Sequence, residues 1–214
     1  MYIFNKYSKA KFGSLLFIIT LLLSTQIFAA VQQERFMSDI PEMETYFGVA
    51  VSVSGNIAVV GSSRQTTVNV SSYGAVFVYE FNGIAWIEAA KLVPFRPNEE
   101  FGNAVSISGN RIVVGPPNAL TRSGVAFVYE RVNGVWIQTA ELRASDFDLF
   151  DRFATSVSLQ GNRLVVGATG NGDNGQSSGS AYIFDYDGKQ WSEVAKLIAS
   201  DANGTKLSPF FIGS

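Results

Sequence analysis

The chain has 214 residues, of which 16 are basic and 18 acidic, giving a formal net charge of −2. It contains neither histidine nor cysteine, which excludes a Ser-His-Asp triad, a Cys-His pair, a histidine-ligated metal site and disulfide bonds. No basic cluster follows the N-terminal segment, so the composition gives no support for a nucleic-acid partner or for binding to an anionic membrane surface.

The first thirty residues have the pattern of a secretory signal peptide. Three lysines precede a mainly apolar run over residues 15–23, and the small residues Ala29 and Ala30 follow it. We therefore predict a cleaved leader over 1–30 and an exported protein that is secreted, periplasmic or located at the cell surface. The apolar run is short for a bilayer span, so a retained membrane anchor is the weaker alternative.

A pattern of about fifty residues then recurs three times. Its first half is FGVAVSVSGNIAVVG in 47–61, FGNAVSISGNRIVVG in 101–115 and FATSVSLQGNRLVVG in 153–167. Its second half carries one tryptophan in each copy, Trp86, Trp136 and Trp191. The predicted organisation is a signal peptide over 1–30, a lead-in segment over 31–45, three repeat units over 46–98, 99–149 and 150–200, and a truncated start of a fourth unit over 201–214.

Each unit is predicted to form two β-hairpins and therefore four consecutive antiparallel strands. Apolar and polar residues alternate with period two, for example over 104–108, and β-branched residues dominate, which is typical of strands. Two-residue turn signals separate the strands, Gly-Asn at 55–56, 109–110 and 161–162, and Asn-Gly or Asp-Gly at 82–83, 133–134 and 187–188. Both kinds of pair favour tight hairpins, because glycine supplies the positive φ that such turns need.

The second strand of each unit is apolar on both faces, as in the segment 112–114. A sheet with one wet face would alternate at these positions, so we expect both faces to be covered, as they are when four-stranded sheets stack around an axis in a β-propeller. Gly61, Gly115 and Gly167 end this strand, where a small residue permits close approach of a neighbouring backbone.

These residues resemble the FG-GAP repeats of integrin α-chains and of many exported bacterial proteins. The Phe-Gly pair stands at 47–48 and 101–102, and the third unit has Phe153-Ala154 instead. Each unit ends in Ala-Lys-Leu or Ala-Glu-Leu, as the bacterial variant does. The resemblance implies an all-β fold of β-propeller-type blades, each with four antiparallel strands, and three blades make an incomplete propeller.

The family resemblance also implies a function. It indicates an exported, non-catalytic protein that recognises a protein or glycan partner, for example in cell adhesion, and we predict no catalytic, cofactor-binding or metal-binding residue. Two alternatives stay open: a truncated fragment of a longer repeat protein without independent function, and an accessory repeat region of a secreted hydrolase or lyase.

Calcium is the weaker alternative to a chain without cofactors. Integrin-type blades often carry a loop in which alternating carboxylates supply six or more oxygen ligands. The nearest candidate here, residues 170–179, contains one carboxylate, Asp173. Asp185 and Asp187 are better explained by a hairpin turn.

Several side chains allow both a structural and a functional interpretation. Blade packing is preferred over sugar stacking for the three tryptophans, and the inter-blade core is predicted for the phenylalanines Phe47, Phe101 and Phe153. A solvated loop or turn cap is preferred over a catalytic pair for the acidic link of Asp146, Asp148 and Asp151. The variable loops 63–73 and 171–178 are the preferred recognition surface, because loops on a rigid scaffold accept sequence change.

Propellers close with four to eight blades, and three repeats would leave two apolar blade faces exposed. Either copies of the chain associate, two copies giving six blades, or the sequence is a truncated piece of a longer protein. Truncation is slightly favoured.

Overall fold

The computed structural model describes residues 45–64, 74–94, 100–116, 118 and 123–200. The predicted leader, nearly all of the lead-in segment, most of the loop 63–73 and the predicted fourth unit lie outside the described residues. The described part is built of twelve strands: β1 Phe47–Ser54, β2 Ile57–Ser62, β3 Ala75–Phe81, β4 Trp86–Leu92, β5 Ala104–Ser108, β6 Arg111–Gly115, β7 Ala126–Val132, β8 Val135–Leu142, β9 Phe153–Gln160, β10 Arg163–Ala168, β11 Ser180–Tyr186 and β12 Trp191–Ile198.

The strands form three four-stranded antiparallel sheets in strict chain order, β1–β4 (blade 1), β5–β8 (blade 2) and β9–β12 (blade 3). The inner strand β5 lies against β1 on one side and β9 on the other, so the sheets stack as successive blades that do not close into a ring. The predicted all-β architecture of three propeller-type blades is confirmed. Over the described residues there is no helix that could cross a membrane.

The first hairpin of each blade turns at the predicted Gly-Asn pair. Gly55, Gly109 and Gly161 have φ values of 58°, 58° and 56°, which is the left-handed conformation that this turn requires. In blade 2 the second hairpin is also a two-residue turn, with φ of 51° at Asn133 and 83° at Gly134.

The second hairpins of blades 1 and 3 are longer than predicted. Four residues, 82–85 and 187–190, separate the strands, so the two-residue turn predicted there is wrong. Asn82 Oδ1 accepts hydrogen bonds from the backbone amides of residues 84 and 85, both at 2.9 Å. Asp187 Oδ1 accepts equivalent bonds from residues 189 and 190, both at 2.8 Å. The side-chain oxygen replaces a backbone acceptor and stabilises a wider loop.

Two hydrophobic clusters fill the spaces between neighbouring blades. In β2, Val59 faces blade 2 and is fully buried, and Val60 on the opposite face is also buried, which confirms that both faces of this strand are covered. Phe101 and Phe153 are buried in the inter-blade clusters as predicted. Phe47 is only half-buried, because no described blade precedes it.

The tryptophans pack within and between blades, as predicted. Trp136 is buried in the cluster between blades 1 and 2. Trp86 and Trp191 are half-buried, and each lies beside an aromatic ring of its own blade, Phe81 at 5.4 Å and Tyr186 at 5.2 Å between ring centroids. Aromatic pairs at this separation add a specific packing contribution to the area that they bury.

Neighbouring blades also meet backbone to backbone. A parallel bridge joins Gly124 of blade 2 to Phe153 of blade 3, where Phe153 N donates to Ser123 O at 2.8 Å. A Cβ atom added at Gly115 would lie 2.2 Å from the carbonyl oxygen of Ala154, and one at Gly61 would lie 2.0 Å from that of Gly102. These glycines therefore set the distance between blades, as the sequence predicted for this position.

The Phe-Gly turn has a left-handed backbone in every unit. Gly102 has a φ of 87°, and Ala154, which replaces glycine in the third unit, has a φ of 66°. The residue before each phenylalanine, Tyr46, Glu100 or Arg152, also has a positive φ, of 53°, 52° and 54°. Residues with side chains adopt this conformation at a cost of about 1–2 kcal/mol, so the packing of the blades must offset the strain.

We expect Gly115→Ala to lower the free energy of unfolding by about 1–3 kcal/mol, because the new methyl group overlaps a backbone carbonyl of blade 3 that cannot move aside. The matched control is Gly167→Ala in blade 3, where the methyl group would meet only the Ser156 side chain, which can rotate. Urea unfolding of both variants measures the difference in their free energies of unfolding. Equal destabilisation would contradict the assignment of Gly115 as an inter-blade contact.

Candidate recognition surface

Two connecting segments meet at one end of blade 3. The link from blade 2 to blade 3 (residues 143–152) contacts the β10–β11 loop (residues 169–179), where Gly170 N donates to Asp151 O at 2.9 Å. Ser145 ties the link to the outer strand of blade 3 by donating from its backbone N and its Oγ to Glu193, at 2.8 and 2.9 Å. We call these two segments together the blade 3 rim.

A buried hydrogen-bond network holds the rim in place. Asn171 is 2% exposed, and its Nδ2 donates to Asp151 Oδ2 and to the Tyr182 hydroxyl, both at 3.3 Å. Its Oδ1 accepts from Ser180 Oγ at 2.8 Å and from Asp173 N at 3.3 Å. One amide side chain therefore connects the link, the loop and strand β11, and it uses its whole donor and acceptor capacity in doing so.

A charged cluster lies above this network. Lys196 Nζ on β12 bonds to Asp146 Oδ2 at 2.5 Å and to Asp173 Oδ2, and it sits 5.2 Å from the centre of the Tyr182 ring. Tyr182 in turn donates its hydroxyl to Asp146 Oδ1 at 2.9 Å. The cluster joins both rim segments to the sheet by charge-assisted bonds.

The cluster shifts the pKa of its members in the directions expected for an ion pair. Burial alone would lower the pKa of Lys196, but hydrogen bonds to Asp146 and Asp173 outweigh it and raise the pKa. Burial alone would raise the pKa of Asp146, but the bonds from Lys196 and Tyr182 outweigh it and lower the pKa. The pKa of Tyr182 is raised to about 12, and burial is the largest cause. All three groups therefore keep their ordinary charge states near neutral pH.

The acidic residues of the link have separate structural partners. Asp151 Oδ2 accepts from the backbone N of Asp148 at 2.9 Å, and Asp148 Oδ1 accepts from Leu149 N at 2.7 Å, so both carboxylates cap the turn. Asp146 instead joins Lys196. Each of the three carboxylates therefore has hydrogen-bond partners within the protein.

The candidate calcium loop, residues 170–179, contributes its single carboxylate to the ion pair with Lys196. Over the described part of the chain, no group of three or more acidic side chains is placed to hold a metal ion. Asp185 pairs with Arg163 and Asp187 caps its turn.

The rim presents large apolar side chains to solvent. Phe147, Leu149 and Phe150 are 56%, 59% and 60% exposed, although the link that carries them is bonded to the sheet on both sides. Sequence reasoning treated this segment only as an acidic link. A sequence signal for this exposed apolar surface does exist: three large apolar residues stand among carboxylates in a segment that is not predicted as a strand.

We expect Asn171→Ala to lower the free energy of unfolding by about 1–3 kcal/mol, since it removes from a buried position the hydrogen bonds that join Asn171 to Asp151, Tyr182 and Ser180. Asn174→Ala in the same loop removes one exposed bond, to Ala199 O, and should cost less than about 1 kcal/mol. Thermal unfolding and limited proteolysis of residues 169–179 compare the two. Equal effects would show that the buried amide does not organise the rim.

Lowering the pH should destabilise the blade 3 rim, because it protonates the Asp146 carboxylate. Because its pKa is lowered on folding, the ionised carboxylate stabilises the fold above the ordinary value of 3.8, and this stabilisation is lost as the pH falls through the lower folded pKa. The stability difference between the natural chain and Asp146→Asn should therefore be present at about pH 6 and shrink below about pH 3.8. Urea unfolding across this range measures it, with Asp148→Asn as the control. A difference that does not change with pH would rule out this ion pair as its cause.

Comparison with known sequence families matches most of the repeat region. A family model described as FG-GAP repeat matches residues 32–79, 86–129 and 136–184, more than half of the chain. The second and third matches begin at Trp86 and Trp136 and end within β7 and β11, so each sequence repeat spans the outer strand of one blade and the inner strands of the next. A search of curated proteins found no significant match.

Proposed function

The chain belongs to the FG-GAP repeat family, and from this premise we propose that it is an exported, non-catalytic protein that recognises a protein or glycan partner through the blade 3 rim. The observation that carries the proposal is the exposure of Phe147, Leu149 and Phe150 on a link that is fixed to the sheet. Because the backbone of this link is already held, less conformational entropy is lost when its exposed apolar side chains bind a partner, and this favours affinity.

The chemistry around these side chains suits a protein partner better than a small substrate. Asp148 beside them is exposed, and the side chains of Asp146 and Asp173 are 40% and 54% exposed. Apolar side chains surrounded by carboxylates are complementary to a partner surface that has an apolar patch with basic residues at its border. Aromatic rings such as Phe147 and Phe150 can also stack on the apolar face of a sugar, so a glycan stays within the proposal.

A non-catalytic role is supported by how the polar groups are used. The chain has no histidine, and the carboxylates of the rim are engaged with Lys196, Asn171 and backbone amides. A general acid or base needs a proton-transfer partner within reach of a substrate. These carboxylates instead bond to the protein itself.

Export is supported by two observations. The N-terminal thirty residues carry the lysines, apolar run and small residues of a secretory leader. Proteins built of FG-GAP repeats are often extracellular or exposed at a surface. The chain has no cysteine, so the oxidising conditions outside the cell would not form disulfides in it.

Screening the full chain against arrays of extracellular proteins and of glycans tests the proposal. We expect a specific ligand whose affinity falls at least about tenfold in the variant Phe147→Ser/Phe150→Ser, because central apolar contacts carry most of the energy of an interface. Ile84→Ser, at a side chain that is 90% exposed on a blade 1 hairpin, is the control. Binding that survives loss of both phenylalanines would contradict the rim as the site. Turnover of an arrayed glycan would contradict the non-catalytic role.

A further inference from the structure

The exposed part of the link between blades 2 and 3 is a short projection between two buried residues. Residues 147–150, which we call the rim tip, are all exposed, whereas Ala144 before them and Asp151 directly after them are 3% and 5% exposed. Ala144 packs in the hydrophobic cluster between the two blades. The rim tip is therefore held by the body of the protein on both sides.

Phe150, the last residue of the rim tip, has a strained backbone. Its φ is 72°, in the left-handed region that is unfavourable for a residue with a bulky side chain. The positive φ values at Arg152 and Ala154 belong to the Phe-Gly turn, and Phe150 lies before that turn. A residue in such a conformation persists only where its surroundings hold it, and strained residues of this kind cluster at ligand-binding sites.

Asp151 holds Phe150 from its C-terminal side. Its side-chain atom Oδ2 accepts hydrogen bonds from Asp148 N at 2.9 Å and from Asn171 Nδ2 at 3.3 Å. Its carbonyl oxygen accepts from Gly170 N at 2.9 Å. The residue after Phe150 is therefore fixed both to the rim tip itself and to the β10–β11 loop.

Gly170 allows this loop to approach Phe150 closely. The φ of Gly170 is not positive, so its backbone conformation does not require glycine. A methyl group at Gly170 would overlap the carbonyl oxygen of Phe150 and lie 3.1 Å from the carbonyl carbon of Asp151. Close approach of the strained segment is thus the reason for glycine at this position. At Gly172, in the same loop, the nearest atom to an added methyl group would be 3.5 Å away, which is an ordinary contact.

The rim tip suits an apolar pocket of a protein better than a glycan. Recognition of a sugar needs polar side chains placed to bond its hydroxyl groups, but Asp151 and Asn171 are buried and bonded to each other. Leu149 in the middle of the tip has no flat ring that could stack on a sugar. Three apolar side chains with one exposed carboxylate, Asp148, are complementary to an apolar pocket that has a basic residue at its edge.

We propose that Gly170 and Asp151 are positioning residues for recognition, which hold Phe150 in its strained conformation so that the rim tip enters an apolar pocket of a partner protein without rearrangement. This inference rests on the proposed function of the blade 3 rim. A segment that already has its bound shape loses less conformational entropy when it binds, so release of Phe150 lowers affinity even when every apolar side chain is kept.

Glycine and alanine substitutions measure the strain at Phe150 without a ligand. Phe150→Gly removes the left-handed strain and Phe150→Ala keeps it, whereas Leu149, which is equally exposed, has no positive φ. The ratio of folded to unfolded chain, glycine relative to alanine, should be at least about fivefold higher at position 150 than at position 149. Comparing two positions cancels the greater freedom of glycine in the unfolded chain. Urea unfolding measures the ratios, and equal values would overturn the proposal.

Amide hydrogen exchange measures how firmly the rim tip is held. We expect Gly170→Ala to accelerate exchange at Asp148 N and Leu149 N, whose acceptors lie in the tip and its anchor, at least about tenfold. Gly172→Ala is the matched control and should leave both rates unchanged. Exchange at Gly161 N, which donates to Ser108 Oγ at the opposite end of the blades, should be unchanged in both variants. Unchanged exchange at the tip in Gly170→Ala would overturn the role of Gly170.

Random peptides displayed on phage and selected on the full chain are the probe for recognition. Their affinity should fall at least about tenfold in Gly170→Ala, which keeps every apolar side chain of the tip, and should be unchanged in Gly172→Ala. In a chain that already carries Phe150→Ala, Gly170→Ala should change affinity by no more than about threefold, because Gly170 acts through Phe150. The full loss in both backgrounds would show a general structural role and overturn the proposal.

Failure of this inference and failure of the proposed function give different results. If the selected peptides bind equally well to Phe147→Ser/Phe150→Ser, the proposed function is contradicted and recognition through the rim tip is overturned with it. The unfolding and exchange measurements still decide whether Gly170 and Asp151 hold Phe150. Binding of an arrayed glycan with the same dependence on Gly170 would overturn the choice of a protein as the partner.

Discussion

The structure depends on one constraint, which is that each four-stranded sheet is apolar on both faces. A sheet of this kind cannot remain alone in water, because burial of apolar area is the main favourable contribution to folding. Stacking three sheets buries Val113, Phe101 and Phe153 completely or nearly so. The same constraint explains why exposure rises at the two ends of the stack, where Val51 and Leu197 occupy places that are buried elsewhere.

Close stacking of the sheets also determines which positions must be glycine. Gly61 and Gly115 stand where the carbonyl oxygen of the next blade approaches, and the Phe-Gly turn that brings it there has a left-handed backbone. The phenylalanine of that turn then packs on the aromatic residues of its own blade, as Phe153 does on Tyr182 and Phe184. The repeated motif is thus a set of residues that permits two sheets to approach each other closely.

The sequence repeat and the blade are offset by one strand, which links neighbouring blades along the chain. The family match from 86 to 129 begins with the outer strand of blade 1 and ends in the third strand of blade 2. The segment between those strands crosses the boundary between blades, and in the next repeat it carries Phe147, Leu149 and Phe150. Connecting segments generally accept sequence change more readily than the strands they join, and this supports the proposal of a binding surface there.

The sequence alone determined the all-β class, the three four-stranded units, the Gly-Asn turns and the burial of Phe101 and Phe153, because periodicity and turn chemistry are local and occur three times. Local signals did not determine the four-residue turns at 82–85 and 187–190, since the capping role of Asn82 and Asp187 competes with the tight turn that the same residues favour. Nor did they show the positive φ at Glu100 and Arg152, which packing between blades imposes on residues without any preference for it. The rim was decided only by the tertiary structure, because Asp146, Asn171 and Lys196 are distant in sequence and meet through the folding of blade 3.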